Sequence, residues 1–596
     1  MINQLIRKPI NILLALFFIG FFLYGIALRG DFIFDDYAVI DTVRHFTFSL
    51  ENIFFELRSL AYLSFSLNLA FFGNKPFFYH LFNILIHIGN SFLVYLLLHL
   101  TLQVSFFKQV KEKGLICFLG ALVFLIHPLQ TQAVSYIAQR MESLVVLFYL
   151  SSLYFYIRAR IEKKNWFYSA AAFLALLASM TKETSLTLPL TVVLYDFLFI
   201  SKNLIKLFKK PFWLLLFLVV FGRYFLAIIL PEVMANKTEN VSVGQVISQE
   251  TIVTYETENI NRHNYLLTQM EVIPKYIQLV FLPLGQRLDY DFPLVTSFKQ
   301  GSTPLYFSSL ILILLLAVLS LKKFRLAAFG TIFFFLALMP SSSIFPIDDL
   351  IFEHRVYLPL LGFVFVFLEA VIRFASIKKE KLLKAGRLFL LSWFLIFSFL
   401  TLKRNFLWSD KLRFWRDNYF KEPEKARVIK NYGVQLVRAG RLTEGLELIN
   451  QAVAKEPDHP EYHLALAKIY QTHKEYDKAE AEYREVLKRC IRSNEKVSNY
   501  YSLGIVQFKQ EKTEEAIESF NQVLKNDSRH YPSLMGLCTI YQARGEYQEA
   551  IRFCEQALDI NNQLKTVHQR LANLYFQIGN IPKSDYHKYQ MKVDSY

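Results

Sequence analysis

Up to about residue 402 the chain alternates long apolar runs with short basic clusters, and after that its pattern changes. The runs lie near 9–29, 77–100, 114–128, 141–157, 166–181, 184–200, 211–231, 305–321, 326–345, 355–373 and 387–402. A helix needs roughly 20 apolar residues to cross a bilayer, so the pattern predicts about eleven crossings. Basic clusters at Lys108/Lys111/Lys113, Arg158/Arg160/Lys163/Lys164 and Lys202/Lys206/Lys209/Lys210 fall in alternate loops, which marks those loops as cytoplasmic. The opposite loops are poor in Lys and Arg and hold Asp35 with Asp36, the stretch from His127 to Glu142, Thr181 to Thr184, and residues 232–268. Segment 269–285 is short, contains Pro274, Lys275 and Pro283, and is predicted to be re-entrant or interfacial. If it crossed, the later clusters Lys322/Lys323/Arg325 and Arg373/Lys378/Lys379/Lys381/Lys384/Arg387 would all face outward.

From Lys425 the charge density rises and a helical period recurs about every 34 residues. Gly433, Gly440, Ala452 and Pro457 stand at the spacings of a tetratricopeptide repeat. They are followed by Ala467/Tyr470/Tyr476/Ala479/Tyr483, Gly504/Ala516/Phe520, Tyr541/Gly545/Tyr547/Ala550/Ala557 and Ala572/Tyr575/Gly579. Small residues let paired helices approach and aromatics fill the space between pairs, so four repeats and a partial fifth are expected to stack as a solenoid with a concave, peptide-binding face. The predicted fold is therefore all-α: a polytopic membrane bundle over 1–402, a linker over 403–424 and an extracytoplasmic repeat domain over 425–596. The N-terminus is placed in the cytoplasm, because Arg7 and Lys8 precede a span too long for a signal-peptide core.

Composition agrees with a membrane protein, at 54% hydrophobic and 16% aromatic residues over 596 positions. The net charge of +16 lies mostly in the loop clusters and calls for no nucleic acid. Cysteine is sparse: Cys117 sits in a span, and Cys490, Cys538 and Cys554 lie near the C-terminus. Cys538 and Cys554 occupy packing positions of one repeat, where two buried thiols are the plain expectation and a disulfide the alternative in an oxidising compartment. Asn236, Asn240 and Asn526 sit in Asn-X-Ser/Thr sequons.

The chemistry is expected on the outer side. Asp35 and Asp36 follow the first span, where a carboxylate can act as general base or hold a divalent cation. His80, Asn83 and His87 share one face of the second span, which must line a bundle interior or a wet cavity. His127-Pro128 ends the third span, Arg140 and Glu142 open the fourth, Lys182-Glu183 opens the sixth, and Glu353-His354-Arg355-Val356-Tyr357-Leu358-Pro359 stands at the tenth. Arg140, Lys182, His354 and Arg355 together are suited to a phosphate or pyrophosphate, with Arg supplying bidentate donors. An anionic lipid carrier would reach them from the bilayer.

Together these features resemble the GT-C glycosyltransferases, in particular the transmembrane-and-tetratricopeptide-repeat protein O-mannosyltransferases and their bacterial relatives. The resemblance rests on Phe34-Asp35-Asp36, on Arg58 through Asn68, on His80 with Asn83 and His87, on His127-Pro128 through Ala133-Val134 to Arg140 and Glu142, on Lys182-Glu183, and on His354-Arg355 through Tyr357 to Pro359. It implies sugar transfer from a polyprenyl-phosphate donor to Ser or Thr of an acceptor protein outside the cytoplasm, with the early acid as base. Gln130 and Gln132 stand where animal members tend to carry His and Glu. Short loops and the family branch place the protein in a bacterial inner membrane. Two other functions fit the pattern: transfer to a glycan or lipid in envelope polysaccharide assembly, and a membrane-anchored repeat scaffold without catalysis.

Overall fold

The computed structural model describes residues 8–46, 49, 56–107, 109–201, 211–229, 260–343, 346–347, 349–377, 379–489, 493–560 and 565–593. Lys108, Lys202, Lys206, Lys209, Lys210, Lys378, Asn236, Asn240 and Cys490 lie outside the described residues. The described chain forms helices and no strand, in two compact units, Met1–Glu422 and Pro423–Tyr596.

The first unit is a bundle. Helix α1 (Pro9–Tyr24) runs on through a 3-10 turn to Arg29. After it come α2 (Asp36–His45), α3 (Ser59–Phe72), α4 (Pro76–Gln103), α5 (Lys113–Ile126), the short α6 (Thr131–Ser135) and α7 (Arg140–Glu162). The chain continues through α8 (Trp166–Ser179), α9 (Leu188–Tyr195), α10 (Pro211–Tyr224), α11 (Arg262–Phe281), α12 (Thr303–Ser320), α13 (Arg325–Leu338), α14 (Leu360–Ala375), α15 (Glu380–Trp408) and α16 (Lys411–Lys421). Each of the eleven apolar runs contains one of these helices. Among the described residues six helices are long and apolar enough to span a membrane, or seven if α5 and the segment Pro128–Ser135, bent by 49°, count as one broken span. Segment 269–285 falls in and just beyond α11, which carries Pro274 and is not among those helices.

Two features of this unit lie outside the expected pattern. The stretch between the first and second spans folds as α2 and α3, which close over Phe32, Tyr79, Ile137 and Met141. Their amphipathic turns are too short to register as spans. The stretch 403–424 is no extended connector: it is the end of α15 and all of α16, with Trp408, Phe414 and Trp415 buried. Helices α13 and α14 cross at two glycines, and a Cβ on Gly330 would lie 2.2 Å from the Gly362 carbonyl oxygen. Only small residues permit backbones to approach so closely in a membrane bundle.

The second unit is five helix pairs: α17 (Ala426–Arg438) with α18 (Leu442–Lys455), α19 (Pro460–Thr472) with α20 (Tyr476–Arg489), α21 (Ser493–Lys509) with α22 (Thr513–Asn526), α23 (Tyr531–Ala543) with α24 (Tyr547–Ile560), and α25 (Lys565–Gln577) with α26 (Ile581–Val593). The last pair has both helices, so the fifth repeat is fuller than its sequence signature. Gly440, at φ +83°, makes the left-handed turn out of α17 that a side chain would resist. Cys538 and Cys554 are joined as a disulfide between α23 and α24. That overturns the expectation of two free buried thiols; Cys117 is a free cysteine in the bundle.

A cross-link between two helices restricts the unfolded chain. Cys538→Ala with Cys554→Ala is therefore expected to lower the unfolding free energy of the repeat unit by about 2–4 kcal/mol, read by denaturant unfolding of the full chain in detergent. Equal midpoints with and without a reductant would contradict a structural bond.

Candidate functional site

The loop after α1 separates the two acids. Asp36 is 1% exposed, and each of its carboxylate oxygens accepts a main-chain N–H: Ile33 at 2.8 Å and Ala138 at 2.6 Å. Burial pushes its carboxyl well above the ordinary range, against the downward pull of those two donors. Asp35, one residue earlier, is exposed. Its N–H donates to the Tyr136 hydroxyl at 3.0 Å, which sets that phenol beside Asp35. Phe34 just before it holds a left-handed backbone at φ +52°, an uncommon conformation for an aromatic residue. Helix α16 clamps the loop from another side, through Lys411 to Asp31 at 2.5 Å and to the Tyr37 hydroxyl at 2.7 Å.

The polar residues of the broken span and its neighbours form one buried network. Arg140 is 1% exposed and donates to Asn83 Oδ1 at 2.7 Å, to Asn68 Oδ1, and to the Ser64 and Tyr79 carbonyl oxygens at 3.1 Å each, with the Phe65 ring 4.4 Å away. Asn83 also donates to the Val134 and Ile137 carbonyls. His87 bridges the Tyr357 hydroxyl at 2.8 Å and the Leu125 carbonyl at 3.1 Å, while Asn90 reaches the same hydroxyl at 3.0 Å. His127 bonds the Val280 carbonyl at 2.9 Å through Nε2 and takes the Leu129 N–H on Nδ1. His80 packs its ring against Gly30, where an added Cβ would lie 3.0 Å from Nε2. Arg140, Asn83, His87, His127 and Tyr357 thus serve to join segments, and their donors are taken by neutral partners.

A second group gathers where α7, the start of α9 and the turn before α14 meet. Lys182 Nζ lies 2.6 Å from Glu142 Oε2, and Arg58 pairs with Glu183 through two contacts of 3.1 and 3.3 Å. His354 is buried; burial, followed by the charges of Lys182, Arg355 and Arg58, holds its imidazole well below its ordinary value and therefore neutral. Its main-chain N–H donates to Gln132 Oε1 at 2.6 Å, and its Nδ1 has no hydrogen-bond partner among the described residues. Nor does Gln132 Nε2, or either side-chain atom of Gln130. Arg355 donates to the Leu350 and Asp349 carbonyls. Glu353 turns away to hold the loop after α11, accepting from Gln286, the Arg287 N–H and Tyr290. Three of the four expected cations, Lys182, His354 and Arg355, are therefore together, joined by Arg58, while Arg140 belongs to the neutral network.

Each Asp36 oxygen already accepts one main-chain N–H, and among the described residues no group of three His, Cys, Asp or Glu side chains converges on one point. Sequence reasoning missed Tyr136, which links the broken span to Asp35, because one aromatic there carries no periodic signal; Gln132, noted only as a departure from the family pattern, links the same segment to His354.

The tetratricopeptide-repeat family profile matches residues 433–494 and 501–564. Protein O-mannosyl-transferase TMTC1 of Mus musculus is 31% identical over 201 residues, covering 29% of this chain and 20% of that protein. Protein O-mannosyl-transferase TMTC3 of Mus musculus is 22% identical over 460 residues, covering 72% of this chain and 47% of that protein. The chain spans less than half the length of these curated relatives. A solved structure of MamA aligns with 27% of this chain and 94% of its own at 16% identity and a TM-score of 0.26. The chain is similar to the transmembrane-and-tetratricopeptide-repeat O-mannosyl-transferases, as its motifs imply.

The two acids are expected to respond differently to substitution. Asp36→Ala leaves two buried N–H groups without acceptors and costs about 2–5 kcal/mol, whereas Asp35→Asn shifts stability by less than about 0.5 kcal/mol. Thermal unfolding of the purified variants decides it; equal losses would contradict the division of roles.

Proposed function

We propose that this chain is a membrane glycosyltransferase that moves a sugar from a polyprenyl-phosphate donor to Ser or Thr hydroxyls of extracytoplasmic proteins, its repeat unit engaging the acceptor. The observation that carries the proposal is the pairing of a solvent-exposed Asp35 with a buried, fully engaged Asp36: one acid fixes the loop and the other lies at the surface where a substrate arrives. The similarity to named O-mannosyl-transferases supports the reaction class. The Cys538–Cys554 disulfide supports an extracytoplasmic location for the repeats, since such bonds persist in oxidising compartments. The orientation that follows puts the basic loops of the bundle in the cytoplasm of a bacterial cell and Asp35 outside, at the inner membrane.

In this mechanism Asp35 accepts the proton of the acceptor hydroxyl as its oxygen attacks the anomeric carbon. The bond from that carbon to the carrier phosphate oxygen breaks, and the electron pair leaves with the phosphate. Lys182, Arg355 and Arg58 supply the positive field for the departing anion. Neutral His354 adds a ring nitrogen to the same region. Sequestered Asp36 and Arg140 hold the frame and touch neither substrate. No step is routed through a cation.

Asp35→Asn is expected to lower transfer by about a hundredfold to ten-thousandfold in membranes supplied with lipid-linked sugar; unchanged turnover removes the base role. Replacing Lys182 alone would strand Glu142, so the informative variant is Lys182→Met with Glu142→Gln. It should raise the donor KM roughly tenfold to a hundredfold, the worth of one charge-assisted hydrogen bond, and an unaltered KM rejects the phosphate assignment. Mass spectrometry of periplasmic proteins from a deletion strain should show loss of hexose from Ser or Thr; loss of a surface polysaccharide instead would transfer the activity to a glycan acceptor.

A further inference from the structure

We infer that Tyr136 is the positioning residue for Asp35: its hydroxyl holds the main chain of that acid and donates its own proton to the Asp35 carboxylate, directing it toward the acceptor. The inference rests on the reading of Asp35 as the base. The Tyr136 hydroxyl accepts the Asp35 N–H at 3.0 Å, so it fixes the main chain at the acid and leaves its own O–H to donate beside it.

Tyr136 is itself held rigidly. It is 0% exposed, and its ring stacks on Trp408, centroids 5.6 Å apart and planes at 22°. Trp408 in turn packs on Phe414, 4.4 Å away. Its neighbours are held on either side: the Ser135 hydroxyl donates to Asn405 Oδ1 at 2.6 Å, and the Ala138 N–H is the one that Asp36 accepts. Tyr136 is the extended joint between α6 and the turn leading to Arg140, at φ −82° and ψ 112°. A phenol needed only for packing would bury its ring and satisfy its hydroxyl on any nearby carbonyl. Here the hydroxyl reaches across 101 positions of sequence to a solvent-exposed acid.

An O–H donated to a carboxylate favours its charged form, so losing it raises the pH at which Asp35 gains a proton. The charged and titratable groups on the elements around the loop include Asp31, Asp36, Tyr37, Asp41 and Arg44 of the loop and α2, His80 of α4, Arg140 of α7, Arg404 of α15 over the Trp408 ring, and Lys411 and Asp417 of α16. Tyr136→Phe leaves all of them and the Trp408 stack in place.

The experiment measures kcat and kcat/KM against pH for the full chain in membranes, in four forms: wild type, Asp35→Asn, Tyr136→Phe, and the chain with 3-fluorotyrosine at position 136. The fluorinated phenol is the stronger donor. Tyr136→Phe is expected to lower kcat about tenfold and move the acid limb up by about one pH unit, with the acceptor KM little changed. The 3-fluorotyrosine chain should move the limb the other way, which distinguishes a hydrogen bond from a general loosening and decides the matter if Tyr136→Phe folds poorly. If Asp35→Asn abolishes transfer but neither position-136 variant moves the limb, the role of Tyr136 is overturned while Asp35 stands as the base. If Asp35→Asn retains transfer, the reading of Asp35 has failed and this inference falls with it.

Discussion

The structure of the bundle depends on what happens to main-chain polar groups where a membrane helix stops inside protein. The third span breaks at His127-Pro128, because proline offers no N–H and steers the residue before it out of the helical region. From there to Arg140 the chain runs as short turns, α6 and an extended joint at Tyr136, whose amides and carbonyls cannot all bond to one another. In a bilayer setting each unpaired group costs several kcal/mol. The bundle answers with side chains from distant elements. Asp36 takes the Ala138 N–H, Asn83 takes the Val134 and Ile137 carbonyls, and Gln286 donates to the Pro128 carbonyl.

That solution has a chemical by-product. To satisfy the break, polar and charged residues are brought into a region that would otherwise be apolar, and a few of them are left with capacity to spare. Arg140 is consumed by the frame: its guanidinium meets neutral acceptors on α3 and α4 and the Phe65 ring, so its charge is solvated by dipoles and not by a counter-ion. Asp35 and the Lys182–His354–Arg355 group are not consumed in the same way. The first is exposed, and in the second His354 Nδ1 and Gln132 Nε2 stay unpartnered in a buried setting, where an unmade hydrogen bond is costly unless a ligand or water supplies it.

Which parts were legible in the sequence follows from the same physics. Apolar runs of helical length announce the bundle because hydropathy is a property of each residue summed along the chain, and the repeat period announces the helix pairs because small and aromatic residues recur at fixed offsets. Helices α2 and α3 escaped, both being short and α2 only half apolar. Charge type brought Arg140 into the expected phosphate set, yet sequence does not say whether a guanidinium is already satisfied, and Asn68, Asn83, Ser64 and Tyr79 satisfy this one. The roles of Asp35 and Asp36 were indistinguishable as neighbours in a motif. They separate only when Ala138, a hundred positions away, supplies the N–H that claims Asp36. The disulfide was likewise open, since pairing depends on how α23 faces α24 and not on the residues between.

The ion pairs around the cationic group also bear on how it can work. Lys182 is 17% exposed with Glu142 at 3%, and Arg58 is 39% exposed with Glu183 at 34%, so each cation keeps a wet flank while its carboxylate partner lies at least as deep. A fully buried pair would gain little and resist opening. A cation held from behind by a carboxylate keeps its geometry without a substrate, and an arriving phosphate meets it from the solvent side without having to displace the partner. His354, kept neutral by burial and then by the same cations, adds no charge that would have to be neutralised between turnovers. On the proposed reading, such a group is preorganised for an anion yet close to balanced when empty, the condition under which a leaving phosphate can be stabilised and afterwards released.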